Sequence, residues 1–292
     1  MNKHGELDSL HVTVVAEDSV LYESPFLGQH GLSLFLEARC GSNTRNIIVD
    51  VAQNPEALLE NMKLLGIQPE SIDTIVITHC HYDHTQGLVR ILDTIHKNDV
   101  PVVVHPDLFR LNFVEEPYLR HVGVMTGDTR EKIVSAGGRL FESRQPLQIM
   151  TGLFTSGEIE RKTDFEEVGI ALKTIEGGNI IEDTMPDDLA LIARIREKGT
   201  VILTGCSHAG VVNICHQCKK MTDQQPIEAV IGGFHLVEAS TERIIKTVKA
   251  LQQLKIGSVL AGHCTGFRAQ SELFKVFGER FTPLCTGMRI GF

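Results

Sequence analysis

Tryptophan is absent from the 292-residue chain, and aromatic residues make up only 5% of it. Surfaces that bind single-stranded nucleic acid stack bases on exposed aromatics, so no nucleic-acid partner is expected. Basic blocks are missing too. The net charge is −9 and the pI near 5.8, the wrong sign for nucleic acid or an anionic membrane surface. No run approaches the roughly 18 consecutive apolar residues of a transmembrane helix. The opening residues, MNKHGE, have no apolar signal core, so no membrane partner is expected. The seven cysteines are an odd number without framework spacing. Cys80, Cys206 and Cys264 each stand next to, or two residues from, a histidine. That pattern fits a reducing compartment, and a cytoplasmic location is expected. Short-period repeats, low-complexity tracts and linkers are also lacking. What remains, 42% hydrophobic and 22% charged, is ordinary for a soluble globular chain and long enough to bury a core without disulfides. One domain over residues 1–292 is expected.

The most informative segment is Thr78-His79-Cys80-His81-Tyr82-Asp83-His84-Thr85. An apolar run, residues 72–77, precedes it and reads as a buried strand. Residues 86–95 follow with apolar side chains at helical spacing. The run thus lies where a strand ends and a helix begins, a common place for sites in α/β sheets. Residues two apart in extended chain point the same way, so His79 and His81 can grip one ion. Asp83 and His84 follow as the chain turns, and aim elsewhere. This spacing implies two adjacent ions.

Around it, residues 10–15 alternate like a strand. Residues 31–37 and 46–51 form a hairpin across the turn at 40–44. Residues 55–66 read as a helix that opens on Pro55 and stops at Gly66. Residues 100–104 are a further strand, ending at His105. The stretch 106–180, punctuated by glycine pairs and Pro117, reads as an elaboration between two half-sheets. A second hairpin, 189–194 with 200–203, delivers Cys206 and His208 to a strand end. Helices near 210–222 and 238–254 and strands at 229–231 and 258–261 complete a second β-rich half. Cys215 and Cys218 have C-x-x-C spacing, but no second pair accompanies them, and two buried cysteines are expected there.

The H-x-H-x-D-H run, the strand ending in Asp50 and the segment Ser258–Gly266 around His263 resemble the metallo-β-lactamase fold superfamily. More narrowly, His30-Gly31-Leu32-Ser33, residues 156–161, Asp187-Asp188-Leu189-Ala190, residues 204–210, Gly232-Gly233-Phe234-His235-Leu236 and His263-Cys264-Thr265-Gly266 resemble one subgroup of it. That subgroup is typified by an archaeal synthase of 7,8-dihydropterin-6-methyl-4-(β-D-ribofuranosyl)aminobenzene 5′-phosphate. The resemblance implies an α/β fold, the αβ/βα four-layer sandwich, with the site along the shared edge of its sheets.

It also implies ligand roles: His79 and His81 for a first metal, Asp83, His84 and His263 for a second. Cys206 stands where the family has a bridging Asp. His208 is expected to supply the remaining first-site nitrogen, with Cys206 as a further ligand. One or two transition-metal ions, zinc first and iron or manganese as alternatives, are the expected cofactors. Oxygen-reducing members carry Glu where this chain has His81, which favours Lewis-acid chemistry. Asp83 is expected to share proton handling. His30, His105, Glu158, Arg161 and His235 are expected to line the substrate site, and Arg268 is a weaker candidate for holding an anion. The implied activity is a metal-dependent hydrolase or transferase acting on a small phosphorylated or heterocyclic metabolite, pterins included. The alternatives are a pterin–arene coupling synthase that releases pyrophosphate and a non-enzymatic metal-dependent sensor or binding protein.

Overall fold

A computed structural model describes residues 5–292; the first four residues of the MNKHGE segment lie outside it. Two seven-stranded sheets form the centre of the molecule. The first runs Arg289–Gly291, Ser9–Ala16, Ser33–Cys40, Asn43–Val49, Thr74–Val76, Val100–Val104 and Gly138–Glu142 from edge to edge. The second runs Phe281–Pro283, Ser258–Gly262, Ile227–Gly233, Gly199–Thr204, Ala190–Ile195, Leu153–Thr155 and Gln148–Met150. Side chains alternate across each pleat, so each strand feeds two cores. In Asn43–Val49, Ile47 and Val49 face the second sheet, joining Leu34, Leu36, Leu191, Val201, Leu203 and Ile231. Ile48 faces the other way, onto helix Pro55–Leu65. The second sheet's outer face is covered by helices Val211–Met221, Thr241–Gln253 and Gly266–Phe277. The result is four layers, helix–sheet–sheet–helix, as expected for an αβ/βα sandwich.

Local chemistry explains the boundaries. Asn54 caps Pro55–Leu65 by accepting from Glu56 N and Ala57 N, and Gly66 ends the helix at φ 75°. The helix after the histidine run starts only at Leu88, later than its apolar spacing predicts. Gly87, at φ 98°, breaks it from the short turn Tyr82–Thr85. Asp128, from a distant loop, then accepts from Gly87 N at 3.0 Å and Val89 N at 2.8 Å. The stretch 106–180 is divided among sheets. Its strand 138–142 closes the first sheet, its strands at 148–150 and 153–155 start the second, and its remaining strands enter a small sheet. That small sheet runs Asn179–Glu182, Lys173–Glu176, Phe113–Val114 and Arg120–His121. Among the described residues, no helix is long and apolar enough to cross a membrane.

Residues 17–32 form a long irregular connection between the strands Ser9–Ala16 and Ser33–Cys40. Asn61, fully buried, fastens them. Its Oδ1 accepts from Leu27 N at 2.9 Å, and its Nδ2 donates to Leu27 O at 2.8 Å and Val15 O at 3.0 Å. Asn61→Ala leaves these backbone groups unpaired, at a cost of about 1–3 kcal/mol. The expected outcome is a lower unfolding midpoint, with amide exchange rising first in residues 18–30. Unchanged exchange there would show that the loop is held by other contacts.

Candidate metal centre

Every chemistry-bearing segment leaves the C-terminal end of a strand. Asp50 follows Asn43–Val49, His79 to His84 follow Thr74–Val76, and Cys206 and His208 follow Gly199–Thr204. His235 follows Ile227–Gly233, and His263 follows Ser258–Gly262. Asp50, Ser207, His235 and His263 have φ of 57°, 58°, 45° and 51°. A non-glycine residue rarely adopts this left-handed backbone, and such positions gather at functional sites. Here they turn the chain sharply enough for side chains from both sheets to meet.

The meeting residues form two groups. In the first, His79 lies 4.8 Å from His81 and 4.9 Å from His208 between ring centroids, and His81 Nδ1 lies 3.1 Å from His208 Nε2. In the second, Asp83 Oδ2 lies 3.1 Å from His263 Nε2 and 3.5 Å from His84 Nε2, while the two imidazole nitrogens are 3.3 Å apart. Cys206 belongs to both. Its thiol is within 4.8 Å of the ligand atoms of Asp83, His84 and His263 and, separately, of His79 and His208. It lies 3.1 Å from His84 Nε2.

The outer nitrogens determine what the inner ones offer. His84 Nδ1 faces the Asp50 carboxylate at 2.7 Å, and His263 Nδ1 faces Asp18 at 2.6 Å. Both outer nitrogens therefore carry hydrogen, which turns each Nε2 toward the cluster, where it can bind an ion on giving up its own proton. His81 Nε2 donates to Asn112 Oδ1 at 3.2 Å, and the Asn112 amide in turn donates to Asp183. His81 thus turns its Nδ1 lone pair inward. Thr78 Oγ1 donates to Asp50 Oδ2 and can only accept from His79 Nδ1, at 3.0 Å. His79 Nε2 is left buried without a hydrogen-bond partner. At 3.1 and 3.3 Å these nitrogen pairs need a proton or a cation between them. Two nitrogens bound to one tetrahedral zinc at its usual bond length stand about 3.3 Å apart. The donor set fits a transition metal.

The two groups differ electrostatically. Burial drives His79 and His208 well below the ordinary imidazole value and His81 down to about 4. Burial also opposes charge on His84, but Asp83 and Asp50 override it and hold the ring up at about 9. Burial acts on Asp83 too, yet the neighbouring His84 and His263 keep its carboxyl well below the usual range. The second group thus favours positive charge, while the first is neutral and rich in nitrogen.

Of the residues expected to line the substrate site, His30 and His235 do face the cavity beside the cluster. His30 Nε2 lies 3.4 Å from Asp83 Oδ2. Both ring nitrogens of His235 are buried without a partner, and the ring lies 4.1 Å from that of His208. His105, Glu158 and Arg161, expected beside the substrate, do not line this cavity. His105 spends both nitrogens locally: Nδ1 accepts from Asp107 N at 3.1 Å, and Nε2 pairs with Glu158 at 2.9 Å. Arg161 instead braces the cluster from behind, donating to the His208 carbonyl at 3.0 Å. Arg268 bonds Thr241 and also lies off the cavity. Cys215 and Cys218 are buried in the helix after His208, and burial pushes the Cys218 thiol up to about 12.

Sequence reasoning missed Asp18, Thr78, Asn112 and Cys264. The Cys264 thiol lies within 4.8 Å of the ligand atoms of Cys206 and His235. The position of Cys264 beside His263 was a visible signal. Asp18 and Asn112 lie in irregular segments, where no periodicity points to them.

With this geometry in view, the comparisons are consistent. The model of the metallo-beta-lactamase superfamily matches residues 30–178. The 7,8-dihydropterin-6-methyl-4-(beta-D-ribofuranosyl)-aminobenzene-5'-phosphate synthase of Methanocaldococcus jannaschii is 40% identical over 291 residues, 99% of this chain and 98% of that protein. The crystal structure of Tm1679, a metal-dependent hydrolase of the beta-lactamase superfamily, superposes with a TM-score of 0.79 at 25% identity, covering 96% of this chain and 98% of the other. YhfI from Bacillus subtilis, a metallo-beta-lactamase fold protein, shares the fold at 13% identity and a TM-score of 0.56, covering 98% of this chain and 100% of its own.

Gly205 packs against the polar support of both groups. A Cβ there would stand 2.1 Å from Thr78 Oγ1 and 2.9 Å from Asp50 Oδ2. Gly205→Ala is expected to displace these groups, lower bound metal and cost about 1–3 kcal/mol by overpacking. Gly127→Ala, which meets nothing within 4 Å, serves as the control. Metal content by elemental analysis and thermal unfolding read both variants. Equal values in the two would remove Gly205 from this role.

Proposed function

The chain belongs to the metallo-beta-lactamase superfamily, and from that premise we propose that it is a metal-dependent hydrolase or group transferase. Its substrate is a small phosphorylated or heterocyclic metabolite related to the pterins. His79, His81 and His208 would hold one ion and Asp83, His84 and His263 a second, with Cys206 as a thiolate between them. The observation that carries this reading is the set of imidazole nitrogens turned inward while the outer nitrogens of the same rings are bound to Asp50, Asp18, Thr78 and Asn112. Imidazole, carboxylate and thiolate together suit zinc. A bound ion of this class polarises phosphoryl or carbonyl oxygens and lowers the pKa of water toward about 7.

The chain's own residues do the remaining work. Asp50 and Asp18 hold the His84 and His263 rings so that each Nε2 faces the cluster. Asp83 touches His263 and lies 3.4 Å from the half-exposed ring of His30. It is placed to pass a proton outward through His30. A second reading has specific support in the full-length 40% identity to the pterin synthase. In that reading an arylamine-type ring attacks a pterin methyl carbon, the bond from that carbon to a diphosphate breaks, and pyrophosphate leaves.

Replacing His81 and His84 together by Ala is expected to remove most bound metal. Cys206→Ser should fall between that variant and wild type, whereas the Cys215→Ser plus Cys218→Ser double variant keeps full content. Stoichiometric metal in the His81/His84 variant would sink the ligand assignment. The zinc-loaded protein is expected to turn over a phosphoester, ester or diphosphate without an electron donor. Activity seen only with iron and a reductant would refute the hydrolytic or transfer reading. With a pterin diphosphate and an aryl acceptor, a coupled product distinguishes the synthase from a hydrolase.

A further inference from the structure

The cavity beside the histidine cluster has a volume of about 300 Å³, the lower end of the range for small-ligand sites. A larger hollow of about 610 Å³ near Leu65 and Arg289 shares no lining residue with it. The smaller cavity is lined by His81, Asp83, Cys206 and His263 of the cluster. Its apolar lining includes Val114, Val122, Ile170 and Leu172, which come from the small sheet and its flanking segments. Arg120, on the same small sheet, is the one arginine or lysine lining this cavity among the described residues.

Other arginines of this region are paired, Arg110 with Asp183 and Asp187, and Arg144 with Glu158 and Asp107. The Arg120 guanidinium has no hydrogen bond or ion pair among the described residues. It is near enough to the Tyr82 ring, one residue beyond His81, to oppose the burial that raises the phenol's pKa. Of the cavity's carboxylates, Asp18 is engaged by His263 and His30, and Asp83 by His263 and His84. No ion pair links Glu238 to Arg120.

We propose that Arg120 is an anion subsite. It takes a phosphate or diphosphate group of the substrate, while Val114, Val122, Ile170 and Leu172 pack against a planar ring between that group and the histidine cluster. A guanidinium offers paired N–H donors that match phosphate oxygens, and Arg120, exposed at the cavity and without a protein partner, receives such a group in exchange for water alone. The subsite narrows the substrate class of the reading above and rests on it.

The test uses the full-length, zinc-loaded protein and inorganic pyrophosphate as the probe. Calorimetry should show pyrophosphate binding weakened at least tenfold in Arg120→Gln and partly restored in Arg120→Lys, with zinc content equal to wild type. Binding within twofold of wild type in Arg120→Gln overturns the subsite. In unaltered protein, pyrophosphate should slow phenylglyoxal labelling of Arg120, measured by peptide mass. An unchanged labelling rate overturns it without relying on a variant. Arg120-dependent pyrophosphate binding in a protein that turns over no ester or diphosphate would support the subsite and refute the enzymatic reading. Full turnover of a phosphate-bearing substrate by Arg120→Gln, with pyrophosphate binding intact, would refute the subsite and leave that reading standing.

Discussion

The carboxylate of Asp50 organises the centre of this protein. It is fully buried, and a buried carboxylate is costly unless its oxygens are bonded. Oδ1 accepts from Thr78 N, and Oδ2 takes both Thr78 Oγ1 and His84 Nδ1, each at 2.7 Å. These bonds tie the ends of two adjacent parallel strands together. They also orient one ring in each histidine group, His84 directly and His79 through the Thr78 hydroxyl. The left-handed backbone at Asp50 turns its side chain into this position, and Gly205, lacking a Cβ, leaves room for it.

The electrostatic asymmetry follows from this support. One carboxylate reaches His84 directly, and Asp83 stands beside it, so the second group carries anionic neighbours. The first group is backed by neutral acceptors: the Thr78 hydroxyl, the Asn112 amide oxygen and, at 3.5 Å, the Val168 carbonyl. Cys206 lies between the two. Burial pushes its thiol well above the ordinary value, and on the proposed reading the ions would reverse this, since a coordinating thiol is deprotonated. A thiolate would then supply the shared negative charge that a bridging Asp supplies in relatives of the fold.

The small sheet makes the site asymmetric. The two large sheets contribute the strand ends that carry the histidine groups, whereas the small sheet contributes apolar lining and Arg120. On the proposed reading, chemistry and selectivity come from different layers of one fold.

Much of this was legible in the sequence because it is local. The alternation that puts His79 and His81 on one side, the apolar strand before them and the capped helix Pro55–Leu65 depend on neighbours a few residues away. The family resemblance extended that legibility to Cys206, His208 and His263. Other features depended on which strand ends adjoin. Only tertiary structure paired His208 with His81 and His263 with Asp83, and brought Asp18, Asp50 and Asn112 behind the rings. Only it laid Arg289–Gly291 beside Ser9–Ala16, a short strand with no pattern of its own. It also turned His105 and Glu158 toward each other and placed Arg120 in the cavity. The physical reason is that a side chain's intrinsic chemistry is set by its type, and its partner by sheet order and register. Those are decided by burial summed over the whole chain, which no local segment contains.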